Sequence, residues 1–135
     1  MDIKKRILLF LSSGAFGVVG ASSKREKYGN KVLRCYLQHG IAAIPVNPRS
    51  KEIEGILCAA SVARLPDSVR SISIITPPSV TEKVVEEAIA RGISNVWMQP
   101  GAESERAITM ATEAGLNVIA DGSCLLVVLG FSENC

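Results

Sequence analysis

Phosphate binding is the chemistry for which the residue types and spacing of this chain are best suited. Between Phe16 and Gly29 an apolar run (Phe16, Val18, Val19) stops at Gly20 and passes through Ala21, the hydroxyls of Ser22 and Ser23 and the cations Lys24, Arg25 and Lys27. After Tyr28 and Gly29 it reopens into the helical pattern Val32, Leu33, Tyr36, Leu37. Strand, loop and helix start in this order bring the unpaired N–H groups and partial positive charge of a first helical turn to a place where a phosphate settles. Gly20 lets the backbone approach a ligand with no Cβ between them, and the hydroxyls and cations add donors. The same residues also suit a plain strand-to-helix turn with a solvated basic rim, and the stretch alone leaves both readings open.

Other chemistries find less support. His39 is the only histidine and falls in the last turn of a helix, where a cation near the C-terminus explains it better than catalysis does. Cys35, Cys58, Cys124 and Cys135 are scattered, with no C-x-x-C pair and no histidine at metal-ligand spacing. They read as buried small hydrophobes or free thiols of a reducing, cytoplasmic compartment, with a disulfide framework as the lesser alternative. Cys124 follows a strand end and could approach a thioester, but nothing near it in sequence lowers its pKa, which favours an inert thiol. No catalytic constellation and no metal site emerge from this chain alone.

The elements that must position the loop follow from composition and period. A chain of 135 residues, 47% hydrophobic but only 4% aromatic and rich in Ile, Val, Ala and Leu, suits one domain whose sheet is covered by helices on both faces. A net charge of +2 does not make nucleic acid a default partner. Lys4, Lys5 and Arg6 before Ile7 to Leu11 mimic a secretory signal, but the run breaks at Ser12-Ser13-Gly14. Residues 1–13 are expected instead to form a short docking helix with Ile3, Ile7, Leu8 and Leu11 inward. No run has the length of a membrane span.

Helices are expected at Lys31 to His39, after Ser79 and Thr81 with Ser79 and Glu82 as a capping box, and from Glu103 to Ala114. Strands are expected at Ile41 to Val46, Val69 to Thr76, Asn95 to Gln99 and Leu116 to Ala120, besides the first. Residues 52–66 suggest a short strand and a brief helix, and Leu125 to Phe131 an edge strand or a buried extended end. The alternation makes a parallel, doubly wound sheet of five or six strands within a single domain, residues 1–135. Its strand ends at Gly20, Asn47, Thr76, Gln99 and Asp121 then share one edge and describe a ligand cleft. Where dinucleotide folds commonly carry an acidic residue on a ribose diol, this chain has Asn47, Pro48, Arg49, Ser50 and Lys51. A nucleotide here would carry a phosphate on its ribose, as coenzyme A (CoA) and NADP do; a polar turn with two solvated cations is the alternative.

Four separated motifs carry a resemblance: Val18-Val19-Gly20-Ala21-Ser22, Ile44-Pro45-Val46-Asn47-Pro48, Thr76-Pro77-Pro78 and Trp97-Met98-Gln99-Pro100-Gly101. In this order the chain resembles the stand-alone CoA-binding proteins, which are similar to the N-terminal domain of the succinyl-CoA synthetase α-subunit. The resemblance implies a Rossmann-like fold binding CoA or an acyl-CoA across the strand ends as a module, carrier or sensor. It implies phosphates near Gly20, Ala21 and Ser22, Lys24 as the basic loop position, and Tyr28-Gly29 as the helix start. The phosphoribose end would lie near Pro45, Asn47, Pro48 and Arg49, and the pantetheine near Thr76 and Pro77, with Gln99 closing the last motif. The sequence departs from the family after Asp121, where an apolar stretch replaces a polar strand. The synthetase's phosphorylated histidine and partner subunit have no counterpart here. The expected partners are thus a small nucleotide ligand and a second copy or another subunit, not nucleic acid or membrane. An NADP-dependent oxidoreductase is the alternative, weakened by the lack of G-x-G-x-x-G, as is an interaction subunit with a vestigial cleft.

Overall fold

The structure is a computed structural model and describes residues 1–133. Five strands form one parallel sheet: β1 (Ala15–Val19), β2 (Ala42–Val46), β5 (Ser71–Ile74), β6 (Asn95–Met98) and β7 (Asn117–Ile119), in the spatial order β2-β1-β5-β6-β7. Two further strands, β3 (Glu52–Ile53) and β4 (Ile56–Leu57), make a separate antiparallel hairpin. Order reverses beside β1, so the crevice above β1 and its neighbours is the topological switch point of a Rossmann-like α/β fold.

Period-two alternation sorts the side chains into two cores. Phe16, Val18, Trp97 and Ile119 face the side covered by α1 (Ile3–Leu11), α2 (Tyr28–Gln38) and α5 (Leu125–Leu129). Val19, Val46, Ile72, Ile74, Val96 and Met98 face α3 (Pro78–Arg91), α4 (Glu105–Glu113) and a 3-10 turn at Val62–Arg64. The aromatic residues gather on the first side: Phe16 stacks on Tyr36 at 4.9 Å between centroids, and Phe10 meets Trp97 edge-on at 5.3 Å. The serines of β5 stay on that same side because each finds a hydroxyl partner, Ser73 with Tyr36 and Ser71 with Ser13, both at 2.6 Å. At the amino-terminal edge, Asn117 Nδ2 donates to Asn95 Oδ1 and to the Arg6 carbonyl, which fastens α1 over β6 and β7. Polar residues close that edge and leave the carboxyl edge to the loops.

Four expectations are corrected. In α1 the buried stripe is Ile3, Ile7, Phe10 and Leu11; Phe10 is fully buried, while Leu8 is 68% exposed, because its position in the 3.6-residue period lies off that stripe. Ser79 and Glu82 form no capping box: Pro77 is the N-cap of α3 and Pro78 opens it, where a missing N–H costs nothing. Glu82 instead accepts the Ser104 hydroxyl at 2.6 Å, and Ser104 caps α4 through Ala107 N–H. Residues 52–66 make the β3–β4 hairpin, turning on positive φ at Glu54 and Gly55, before the 3-10 turn. The apolar tail is neither edge strand nor extended end: it forms α5, with Leu125 buried and Val127 81% exposed. Its first N–H is taken by Gln99 Oε1 at 2.9 Å, which turns the chain away from the sheet, so β7 ends it at five strands. Helix α2 begins at Tyr28, the start the resemblance implies and three residues before the Lys31 of the periodic reading, with Lys27 as the extended N-cap.

Candidate ligand-binding site

Backbone-to-backbone packing fixes the loop between β1 and α2. Gly20 has φ +94°, and a Cβ there would lie 2.1 Å from the Ile75 carbonyl oxygen. Gly29, in the first turn of α2, sits so close beneath the loop that a Cβ would lie 2.0 Å from the Gly20 carbonyl oxygen. Neither neighbour is a flexible side-chain end, so only glycine fits at both places.

The loop is then braced by side chains. Asn47 Nδ2 donates to the Ala21 carbonyl at 2.9 Å, Asn30 Nδ2 to the Ser22 carbonyl at 2.8 Å, and Arg34 Nη2 to the Arg25 carbonyl at 2.8 Å. Because a peptide is planar and trans, holding a carbonyl also fixes the N–H of the next residue. Arg34 Nε reaches Asn30 Oδ1 at 2.6 Å, and Glu54 Oε2 takes Asn30 Nδ2 at 3.1 Å and pairs with Arg25 at 3.5 Å. Asn47 is held in turn, its Oδ1 accepting the N–H of Arg49 and of Ser50 at 2.7 and 3.0 Å. No side chain caps the N-terminus of α2. The braced loop lies beside the start of an eleven-residue helix whose N-terminus has no side-chain cap and so carries partial positive charge.

In front of the loop lies a cleft of about 280 Å³. Val19 and Gly20 border it on one side, Val46, Asn47 and Pro48 on another. Ala60, Ser61 and Val62, leading into the 3-10 turn, and the face of α3 bearing Val80, Lys83, Val84 and Glu87 complete it, with Thr76 between. A second hollow of about 270 Å³ opens between the ends of β5 and β6 at Ile75, Thr76, Pro77, Pro100 and Gly101. Thr76, its hydroxyl bonded to Thr81 Oγ1 at 2.7 Å, stands where the two meet.

The expected residues divide accordingly. Gly20, Asn47, Pro48 and Thr76 line the cleft, and Pro77 lines the second hollow. Ala21 is buried behind Asn47, Ser22 is half-buried with its Oγ accepting Lys24 N–H at 3.1 Å, and Lys24 and Arg49 are exposed. Pro45 is buried within β2 and Gly29 beneath the loop. Tyr28 and Gln99 lie apart from the cleft walls: the Tyr28 hydroxyl donates to Gln99 Oε1 at 3.0 Å and contacts Cys124 Sγ at 2.9 Å. Burial, reinforced by Cys124, raises the Tyr28 pKa well above the usual phenol range and keeps it a donor. Gln99 is fully buried, with its Nε2 unpartnered among the described residues. Burial also pushes the Cys35 thiol up to about 11, and no group of three His, Cys, Asp or Glu that could hold a metal occurs among the described residues. No helix there is long and apolar enough to cross a membrane.

Asn30, Arg34 and Glu54 were not foreseen. Asn30 and Arg34 stand at i, i+4 on the buried face of α2, interrupting its apolar stripe, and Arg34 is only 5% exposed. That polar interruption was the available signal; Glu54, from a distant hairpin, gave none.

Residues 15–130 match the model of a family described as CoA binding domain. Among curated proteins, an ADP-forming acetate–CoA ligase of Archaeoglobus fulgidus is 29% identical over 106 residues, covering 71% of this chain but 15% of the ligase. A solved structure of a conserved hypothetical protein from Pyrococcus furiosus is 40% identical, with TM-score 0.81, covering 84% of this chain and 97% of that one. A dinucleotide-forming acetyl-coenzyme A synthetase of Ca. Korarchaeum cryptofilum, solved with phosphate and ADP, is 27% identical with TM-score 0.75, covering 90% of this chain and 27% of that one. The chain thus spans a small part of the ligases it matches and nearly the whole of a stand-alone protein. With the match running from the first residue of β1 to just past α5, the chain belongs to the CoA binding domain family.

Proposed function

We propose that the protein binds CoA or an acyl-CoA across the carboxyl edge of its sheet, as a binding module, carrier or sensor that does not itself transform the ligand. The diphosphate rests on the loop amides from Gly20 to Ser22 and on the start of α2, with Lys24 nearby. The phosphoribose end faces Asn47, Pro48 and Arg49, and the pantetheine runs past Thr76 and Pro77 toward Pro100. The observation that carries this reading is the braced loop bordering a cleft, with three of its carbonyl oxygens already bonded by side chains. Gln99 and Tyr28 act by holding α5 and the start of α2 in place, through the hydrogen bonds of Gln99 Oε1. The setting is a cytoplasmic one, and the protein works alone, as a homo-oligomer or beside a partner subunit.

Recognition through amides and local cations makes binding electrostatic. Isothermal titration is expected to show CoA binding several-fold tighter than 3′-dephospho-CoA and weakening from low to 0.5 M salt, on the order of the screening expected for exposed charges. Equal affinity for the two compounds would remove the selection for a phosphorylated ribose. Tighter binding of NADPH than of CoA would favour an oxidoreductase.

A further inference from the structure

We infer that Lys83, on α3, is the residue by which the cleft selects a ribose bearing a 3′-phosphate; this assignment rests on the CoA-binding reading above. The sequence places that selection on the rim after β2, at Arg49 and Lys51. The structure gives a different inventory of charge. Among the residues lining the cleft only two are charged, Lys83 and Glu87, one turn apart on α3. At i, i+4 they could pair with each other, as such residues often do on a helix. They form no ion pair here; Glu87 Oε1 instead accepts the Ala63 N–H of the opposite wall at 3.1 Å. Glu87 is thereby tied to the 3-10 segment, and the Lys83 ammonium has no acidic partner among the described residues.

Three cations near the loop are engaged in ion pairs, and the exposed Lys24, Lys27 and Lys51 do not line the cleft. Arg25 pairs with Glu54, while Lys31 and Arg34 both pair with Glu133. Arg49, exposed as Lys83 is, does not line the cleft. Lys83 is therefore the cation facing a cavity whose walls are otherwise largely apolar, at Val46, Val62, Val80 and Val84. Lys83 is itself exposed, so its pull on a phosphate dianion is that of a surface ammonium beside these walls and weakens with salt. The pull comes from across the cleft, opposite the Gly20 loop. A ligand held at one end by its diphosphate would thus meet Lys83 with a second, separate phosphate, which is what the 3′-phosphate of CoA offers.

The test is the ratio of affinities for CoA and 3′-dephospho-CoA, measured by isothermal titration at low salt in wild type, Lys83→Gln and Lys83→Arg, with melting temperatures as a check on folding. Loss of one charge-assisted contact is expected to bring the wild-type ratio, about tenfold, down toward one in Lys83→Gln. Lys83→Arg keeps a ratio above one. A Lys83→Gln ratio equal to that of wild type, or an equal loss for both compounds, overturns the assignment while leaving CoA binding standing. Failure of the wild-type protein to bind either compound overturns the CoA reading itself.

Discussion

Gly29→Ala is expected to unfold about 10 °C below the wild-type protein and to lose measurable CoA binding, the result of overpacking costing roughly 2–3 kcal/mol in a domain of this size. The added methyl would lie 2.0 Å from the Gly20 carbonyl oxygen, 2.9 Å from its carbon and 3.2 Å from Ala21 Cα. All three are backbone atoms, so relief requires α2 to move away from β1 or the loop to lift. Either motion also breaks the alignment of Ala21 and Ser22 with the helix start. Alanine is otherwise the best helix former, and Gly29 is not in a left-handed conformation. The substitution therefore isolates close approach from backbone strain. A thermal melt unchanged or raised, as Gly→Ala in an unhindered helix would give, would show that the loop and α2 are not in contact.

Asn47→Asp has the second large effect, and it falls on binding more than on stability. Asn47 has two jobs: its Oδ1 receives Arg49 and Ser50 N–H, and its Nδ2 holds the Ala21 carbonyl. Aspartate keeps the first and inverts the second, setting an anionic oxygen against a carbonyl oxygen and toward the ligand's phosphates. Losing one partner of a half-buried hydrogen bond costs about 1–3 kcal/mol, so with repulsion of the ligand the affinity for CoA is expected to drop on the order of 30-fold or more. Asn47→Ala, which removes the tether without adding charge, is expected to lose less. Titrations in which the two variants bind alike would mean that Asn47 does not face the ligand's phosphates.

Much of this arrangement is local in origin, which is why it could be read from the chain. Apolar runs ending at Gly20, Asn47 and Thr76 mark strand ends whichever neighbours they acquire, and parallel alternation sends them to one edge. The phase of α1 was misjudged by the apolarity of Leu8, where periodicity alone favours Phe10. The α5 segment, all Leu and Val, has strand-like composition; what makes it helical is a distant acceptor, Gln99 Oε1. Braces such as Asn30, Arg34 and Glu54 depend on contacts between elements far apart in sequence, so their pairing is invisible until the fold exists. Lys83 reads in sequence as one more charge on the solvent side of α3, and only the 3-10 wall opposite makes it part of a cleft.

The central claim is that the loop after β1 is the seat of the ligand's diphosphate. A crystal structure of the protein grown with CoA tests it most directly. The diphosphate oxygens are predicted to lie about 3 Å from loop N–H groups between Gly20 and Ser23, with the adenosine end in the cleft bounded by Val46, Val62 and Val80. CoA bound at the amino-terminal edge beside Asn95 and Asn117, or anywhere that leaves this loop without a phosphate, would contradict it.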